Sequence, residues 1–378
     1  MTTTASTAVR KPIELTGHLF DSLTVSKALD TIESLGGDFE LKAIDIGHSK
    51  KAFSNLKLDV IAPDEITLRN IIEALEPYVA KVPVVFEQVG SVEVKTSQTK
   101  YPLGKDDAHP SILMSPPDYF EVAYAINPWM QGVAPVDVEL AKKQWQDLYN
   151  AIENAGAKMY TLPPVKGLPD LVFTANCAFV YGDQAVTAHY RHAERQGEEP
   201  YGQQWFKDHG YQVTALPDHV HFEGSGDALI WKDRVFSGYK MRSDIAAHGF
   251  LSNASGLPIL SLELNDPKFY HVDVCFCPLT GDYLIWYPEA FDEYGRSVIE
   301  ANVPADKRIA VTTDEANQFV CNAVSVGKTV IFNEAPEKPL TRVKGELEAR
   351  GFSVVTVNMS EFLKAGGSAK CLTVRLDH

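Results

Sequence analysis

Apolar and polar positions change period several times along the first ninety-odd residues. Ile13 to Leu19 reads as a strand. Val25, Ala28, Leu29 and Ile32 then fall on one helical face, and Gly36-Gly37 stops that helix. Phe39 to Ile46 reads as a second strand. Leu56, Leu58 and Val60 alternate in a third. Leu68, Ile71, Ile72 and Leu75 form a second helical stripe, and Val82 to Val94 is extended again, interrupted by Pro83 and Gly90. His18 and His48 stand alone, which suits structural or exposed histidines better than ligands.

The order βαββαβ predicts a ferredoxin-like or ACT-like α+β module over residues 13–94, behind a flexible N-terminus at 1–12. Residues 95–110 are polar and broken by Pro and Gly, and read as a linker. Beyond them a repeat sets in. Hairpin signals recur at Tyr181-Gly182-Asp183, Lys232-Asp233, Thr280-Gly281-Asp282 and Gly327-Lys328, each between runs rich in Val, Ile, Phe and Tyr, 46 to 50 residues apart. The last hairpin, Val324 to Phe332, is followed by a helical stretch near Thr341 to Arg350 and a strand at Val354 to Val357. With a first unit near Ile112 and a final strand at Leu372 to Leu376, five ββαβ units fit. The expected fold class is α/β: a five-bladed αβ propeller over residues 111–378, preceded by the small α+β module. The competing expectation is a generic α+β domain with coincidental spacing.

Composition narrows the function classes. The 378 residues are 45% hydrophobic, and 50 acids against 35 bases give a formal charge of −15, which disfavours phosphate backbones as partners. No apolar run is long enough to span a membrane, and the polar start of the chain lacks the apolar core of a secretory signal. A cytoplasmic location is expected. The five cysteines are an odd count for a disulfide framework and point to a reducing compartment. Cys275 and Cys277 could be half of a metal site, but no second pair has ligand spacing, so buried apolar cysteines are the simpler reading and no metal is expected.

In a radial repeat, loops from every unit meet near one axis. Reactive polar residues stand at comparable places in the units: Asn176 in FTANCAF, Glu223 and Asp227 in HFEGSGDAL, His271 and Asp273 in FYHVDV, and Cys371 in GGSAKCLTV. Any one of them alone has a structural explanation. Together they suit covalent catalysis: a Cys371 thiolate attacks, Glu223 and Asp273 grip a guanidinium through paired N–H donors, and His271 protonates departing ammonia and then activates water. No cofactor is needed.

These motifs resemble those of the guanidino-group-modifying superfamily of arginine deiminases, dimethylarginine dimethylaminohydrolases and amidinotransferases. The resemblance covers residues 111–378. It implies a five-bladed αβ propeller with Glu223, His271 and Cys371 as catalytic residues and Asp273 beside them. Tyr124-Ala-Ile-Asn127-Pro-Trp-Met130, Pro169-Asp170 through Asn176, Glu194-Arg195 to Glu199, Phe269-Tyr-His271 and Phe362 to Cys371 resemble the arginine dihydrolase subgroup, which implies conversion of L-arginine to ornithine, ammonia and carbon dioxide. A deiminase or dimethylargininase stopping at citrulline, and a non-catalytic propeller like the ribosome anti-association factors, are the alternatives. Residues 17–47 resemble the small N-terminal region of LOR/SDH proteins. No Rossmann ornithine-cyclising domain follows in this chain, so a second, proline-forming activity is not expected. Arg195 and Arg242 become candidates for the substrate α-carboxylate, Arg191 less so, and Asn127 and Asp170 for its α-amino end. Asn176 stands where deiminases have Asp, which suggests that bound citrulline is held for a second attack. Neither nucleic acid nor membrane is an expected partner. A homo-oligomer is, with the N-terminal module regulating or assembling the enzyme.

Overall fold

The structure is a computed structural model that describes residues 8–47, 52–78, 106–334 and 337–378. Residues 9–78 hold three strands, β1 (Val9–Gly17), β2 (Asp38–Asp45) and β3 (Ser54–Ala62), and two helices, α1 (Thr24–Ser34) and α2 (Glu65–Leu75). The sheet order is β1-β3-β2, antiparallel throughout. Ile13, Leu15, Leu56, Leu58 and Val60 turn inward against Ala28, Ile32, Leu68 and Ile71. The first strand starts four residues before its expected place and ends before Leu19. Val9 pairs with Ala62 and packs on this core, so the charged stretch Arg10-Lys11 that looked like tail belongs to the sheet. Val82 to Val94, His48 and most of the linker lie outside the described residues.

The rest of the chain builds five three-stranded sheets. The remaining strands are β4 (Ser111–Met114), β5 (Lys158–Thr161), β6 (Ala178–Tyr181), β7 (Gln184–Thr187), β8 (Gln212–Thr214), β9 (Ala228–Trp231), β10 (Arg234–Tyr239), β11 (Ile259–Glu263), β12 (Phe276–Leu279), β13 (Tyr283–Trp286), β14 (Arg308–Ala310), β15 (Val324–Val326), β16 (Thr329–Asn333), β17 (Ser353–Val357) and β18 (Val374–Arg375). Four sheets share one plan: a tight antiparallel hairpin, a helix, then a strand parallel to the second (β6-β7-β8, β9-β10-β11, β12-β13-β14, β15-β16-β17). The helices are Glu199–Asp208, Ala247–Ser255, Glu293–Asn302 and Glu337–Ala349. A parallel pair needs such a crossover, and the helix covers the sheet. All four hairpin turns fall where Gly and Asp marked them. The fifth sheet has the same pattern with a split origin: β18 supplies the antiparallel partner of β4, which is joined through the helix Val138–Asn154 to its parallel partner β5. Residues Lys370–Leu372, expected in part as strand, form a single helical turn instead. That turn places Cys371 three residues ahead of β18.

The two parts are bonded directly. Tyr239 of β10 joins the core of the first sheet. Lys27 of α1 is buried and pairs with Glu263 and Asp292. Tyr78 donates to the same Glu263 at 3.1 Å, and His18 meets the Ser252 hydroxyl at 3.1 Å. Among the described residues, no helix is long and apolar enough to cross a membrane.

Candidate active site

Asn176, Asp227, Asp273, Asn322 and Cys371 each lie one to three residues ahead of the strand that opens a sheet: β6, β9, β12, β15 and β18 respectively. All five are buried, and they are linked to one another. The Asn322 amide donates to the Cys371 sulfur at 3.1 Å and to the Asp273 carbonyl at 3.0 Å, while its oxygen accepts from the Cys371 N–H at 3.2 Å. The Cys371 thiol faces Asp273 Oδ1 at 3.8 Å. Burial and the neighbouring Asp273 charge push this thiol well above its ordinary range. The free site therefore stores a protonated sulfur that a positive charge would activate.

His271 is held on both sides of its ring. Its Nε2 bonds Glu223 Oε2 at 2.8 Å, and its Nδ1 lies 3.4 Å from the Asn176 amide nitrogen. Glu223 can only accept and the amide nitrogen only donates, so the ring carries its proton on Nε2. Burial opposes ionisation of Glu223, but Arg242 at 3.0 Å and His271 outweigh it and hold the carboxyl well below the usual range. Asp227 is braced by the Ser243 hydroxyl at 2.6 Å and the Val272 N–H at 3.1 Å, and so fixes the backbone next to His271.

Asn176 uses both ends of its amide. Its oxygen accepts from Arg195 at 2.8 Å, and its nitrogen donates to the Glu223 carbonyl at 3.2 Å. Arg195 is gripped at both Nε and Nη2 by Glu198, at 2.9 and 2.8 Å, and also meets the Asp170 carbonyl. Its donors are thus largely engaged with the site's own groups. Arg242 donates to Glu223 and to the Ile126 carbonyl, and lies over the Tyr270 ring. Arg191 pairs with Asp244, on a more exposed part of the surface. Asn127 caps the turn Pro128–Met130 and donates to the Ala365 carbonyl, which shapes the loop ahead of Gly366.

Three buried carboxylate oxygens have no hydrogen-bond partner among the described residues: Asp170 Oδ1, Glu223 Oε1 and Asp273 Oδ2. The other oxygen of each is engaged, by Tyr124, by Arg242 and His271, and by the Cys371 thiol. A buried carboxylate oxygen left unpaired is costly, so three of them mark where N–H donors of a ligand fit. Burial also pushes the carboxyl of Asp273 up to about 6, against the pull of Lys370 and His271, and raises that of Asp170.

The motif around Glu223 shows why glycine is required. Gly224 has φ of +62°, and a Cβ there would stand 2.6 Å from the Ala175 and Asn176 carbonyl oxygens. At Gly226 a Cβ would stand 2.3 Å from the Asn176 amide nitrogen. Glu223 and Asn176 approach only because both side chains are missing. Sequence reasoning overlooked Asn322 and Glu198. The repeat was the available signal for Asn322, which occupies in its unit the place that Asn176 occupies three units earlier. Cys275 and Cys277 are buried in the core with sulfurs near carbonyl oxygens. Among the described residues no group of His, Cys, Asp and Glu is arranged to hold a metal.

The family model for N,N dimethylarginine dimethylhydrolase, eukaryotic, matches residues 125–377, and that for the LOR/SDH bifunctional enzyme conserved region matches residues 10–106. The bifunctional arginine dihydrolase/ornithine cyclodeaminase AgrE of Nostoc sp. is 46% identical over 268 residues, covering 70% of this chain and 37% of that protein. Its counterpart ArgZ of Synechocystis sp. is 44% identical over the same length, and this chain likewise spans only 37% of it. The N(G),N(G)-dimethylarginine dimethylaminohydrolase of Mycobacterium tuberculosis is 41% identical over 263 residues, 84% of its length. The crystal structure of the N-terminal domain of ArgZ bound to substrate superposes with a TM-score of 0.69 at 43% identity, covering 71% of this chain and 98% of that one. The chain therefore belongs to the dimethylarginine dimethylhydrolase family of the amidinotransferase superfamily, with a LOR/SDH region ahead of the family domain.

Proposed function

We propose that this chain is an arginine dihydrolase, converting L-arginine and two waters to ornithine, two ammonia and carbon dioxide through a covalent intermediate on Cys371. The carrying observation is the set of unpartnered oxygens on Asp170, Glu223 and Asp273, the last of these facing the Cys371 sulfur. A doubly cationic substrate supplies the N–H donors they lack. Glu223 and Asp273 take the guanidinium, and Asp170 takes the α-ammonium. Arg242, which commits one bond from each terminal nitrogen to protein acceptors, has donors left for the α-carboxylate.

The guanidinium beside the sulfur favours the thiolate, which attacks the guanidino carbon. The C–N bond to a terminal nitrogen breaks, and that nitrogen leaves as ammonia with a proton from His271. His271 then takes a proton from water, which attacks the thiouronium carbon and frees the sulfur. This first cycle gives citrulline. In the second, the thiolate attacks the ureido carbon, the remaining terminal nitrogen leaves as ammonia with a proton from His271, and water cleaves the resulting thiocarbamate to a carbamate that breaks down to ornithine and carbon dioxide. Asn176 serves that step by turning an amide N–H from the long contact with His271 to the neutral ureido oxygen, which a carboxylate could not do. We read the five sheets as blades of a propeller over residues 111–378, and residues 13–94 as an ACT-like module. The closure of β18 on β4 and the meeting of five pre-strand turns at one site support that arrangement. Self-association of the module is part of the same reading, supported by β2 as a sheet edge among the described residues, with Leu41 and Ile44 exposed.

Counting ammonia per amino-acid product tests the proposal. Two ammonia with ornithine is the expected result, and Cys371→Ser should lower turnover by at least about 10³-fold. One ammonia with citrulline would instead support the second reading, a deiminase or dimethylargininase, to which the similarity to the mycobacterial hydrolase lends weight. No turnover of arginine, citrulline or methylarginines would defeat both.

A further inference from the structure

We propose that Lys370 is a positioning residue for the nucleophile: a fixed cation behind Cys371 that sustains the negative charge Cys371 and Asp273 need to act on a guanidinium. The inference deepens the hydrolase reading above and rests on it for the identity of the substrate.

Lys370 is the first residue of the turn Lys370–Leu372 that carries the nucleophile. Its backbone N–H donates to the Asn322 carbonyl at 3.3 Å, and the Asn322 side chain grips both the sulfur and the N–H of Cys371. The turn is therefore fixed on both sides of the peptide joining Lys370 to Cys371. The Lys370 side chain is half-buried. Its ammonium meets two neutral oxygens, the Ser225 hydroxyl at 3.4 Å and the Thr373 carbonyl at 3.2 Å. Ser225 in turn donates to the Ala175 carbonyl at 3.0 Å, which ties the cation to the glycine turn that follows Glu223. Among the described residues Lys370 makes no ion pair within hydrogen-bond reach.

This placement is not a packing solution. Ordering a lysine side chain costs rotamer freedom, and withdrawing part of its charge from water costs more. The side chain borders a cavity of about 130 Å³ that is also lined by Ser225, Cys277, Ala323 and Ser325. A leucine or methionine would fill the apolar part of that wall without either penalty. What a lysine adds is charge, which Asp273 and Cys371 feel, as do the buried thiols of Cys177 and Cys277 outside the site. Lys370 is the foremost charge drawing the carboxyl of Asp273 down against burial, and it also favours the thiolate of Cys371. Without it, Asp273 and the sulfur would face each other as two groups that cannot both hold negative charge.

The test uses the full chain without substrate, so it does not depend on what the substrate is. The rate of iodoacetamide modification of Cys371 is followed by peptide mass spectrometry at a fixed, mildly alkaline pH. The wild type is compared with Lys370→Met, Lys370→Gln and Lys370→Arg, each checked for its melting temperature. Loss of the charge should slow modification at least about tenfold, the equivalent of about one pH unit in the thiol. The arginine variant should stay close to wild type. The pH profile of kcat/KM on arginine should move to higher pH in the two neutral variants. If a folded Lys370→Met or Lys370→Gln protein is modified within about twofold of the wild-type rate, the proposal is overturned. Glutamine keeps hydrogen bonds to Ser225 and Thr373, so it remains a valid test should the methionine variant fail to fold. A slowed thiol in a protein that turns over no guanidino compound would uphold the role of Lys370 and sink the arginine reading alone.

Discussion

At Asn176 one amide answers three neighbours at once, accepting from Arg195 while donating toward the Glu223 carbonyl and His271. A carboxylate in its place could only accept. Asn176→Asp is therefore expected to cut the ratio of ornithine to citrulline at least about tenfold, the effect of about 1.4 kcal/mol on the second attack. Chromatographic quantitation of both products checks this, and an unchanged ratio at unchanged rate would refute the role given to the amide. Asp273 sets a pH limit. Burial holds its carboxyl at about 6, so the charge that grips a guanidinium is present above that pH and lost below it. The value of kcat/KM should fall as pH drops through about 6, and Asp273→Asn should flatten that limb as well as lower the plateau. Cys371, His271, Glu223 and Asn176 were legible because reactive types stood in phase with a repeat. Asn322 was not: an amide inside the apolar run FVCNAVSV looks like a buried structural residue until its bonds to the sulfur are seen. Arg195 read as a free cation because its partner, Glu198, lies three residues away within a charged stretch that looked like surface.

Among the short elements, the turn Gly224–Gly226 carries the strictest demand. A methyl group at Gly226 meets the Asn176 amide within 2.3 Å, and the two cannot share the space. Gly226→Ala should displace Asn176 and lower kcat by about 10²-fold, the usual cost of a misplacement near 1 Å. The melting temperature should move little, since the turn has no apolar core of its own. Equal losses of activity and stability would show instead that the turn holds the fold. The hairpin turns were readable because Gly and Asp are chosen for local backbone geometry, which sequence reports directly. The boundaries of β1 and β18 were not, because pairing across the sheet decides them. Arg10 and Lys11 extend β1 only because β3 is there to receive them, and the turn at Lys370 is held by Asn322 from another sheet.

The whole molecule is held by a small number of polar joints between its two parts. Lys27 from α1 meets Glu263 and Asp292, and Glu263 also receives Lys240 at 2.6 Å. Lys240 lies two residues before Arg242, which holds Glu223. The module thus grips the far end of the loop that steadies the carboxylate proposed to take the guanidinium. Lys27→Met leaves buried carboxylates short of a cation, and should cost about 3–5 kcal/mol of stability. Thermal and urea unfolding would measure it. A loss under about 0.5 kcal/mol would mean the joint is no more than a surface pair. None of this contact was legible beforehand, since each residue alone looked like an ordinary charged position on a helix or strand.

The pairing of β18 with β4 also governs when the enzyme can exist. β4 opens the first of the five sheets, yet its antiparallel partner is translated only after the other four sheets have been made. The nucleophile emerges in that same last stretch, three residues ahead of β18. A nascent chain can thus hold Glu223 and His271 in nearly folded sheets while having no sulfur to attack with. Contacts of such long range form slowly. Activity should therefore appear as a late, single step in refolding, after most of the helical signal has returned.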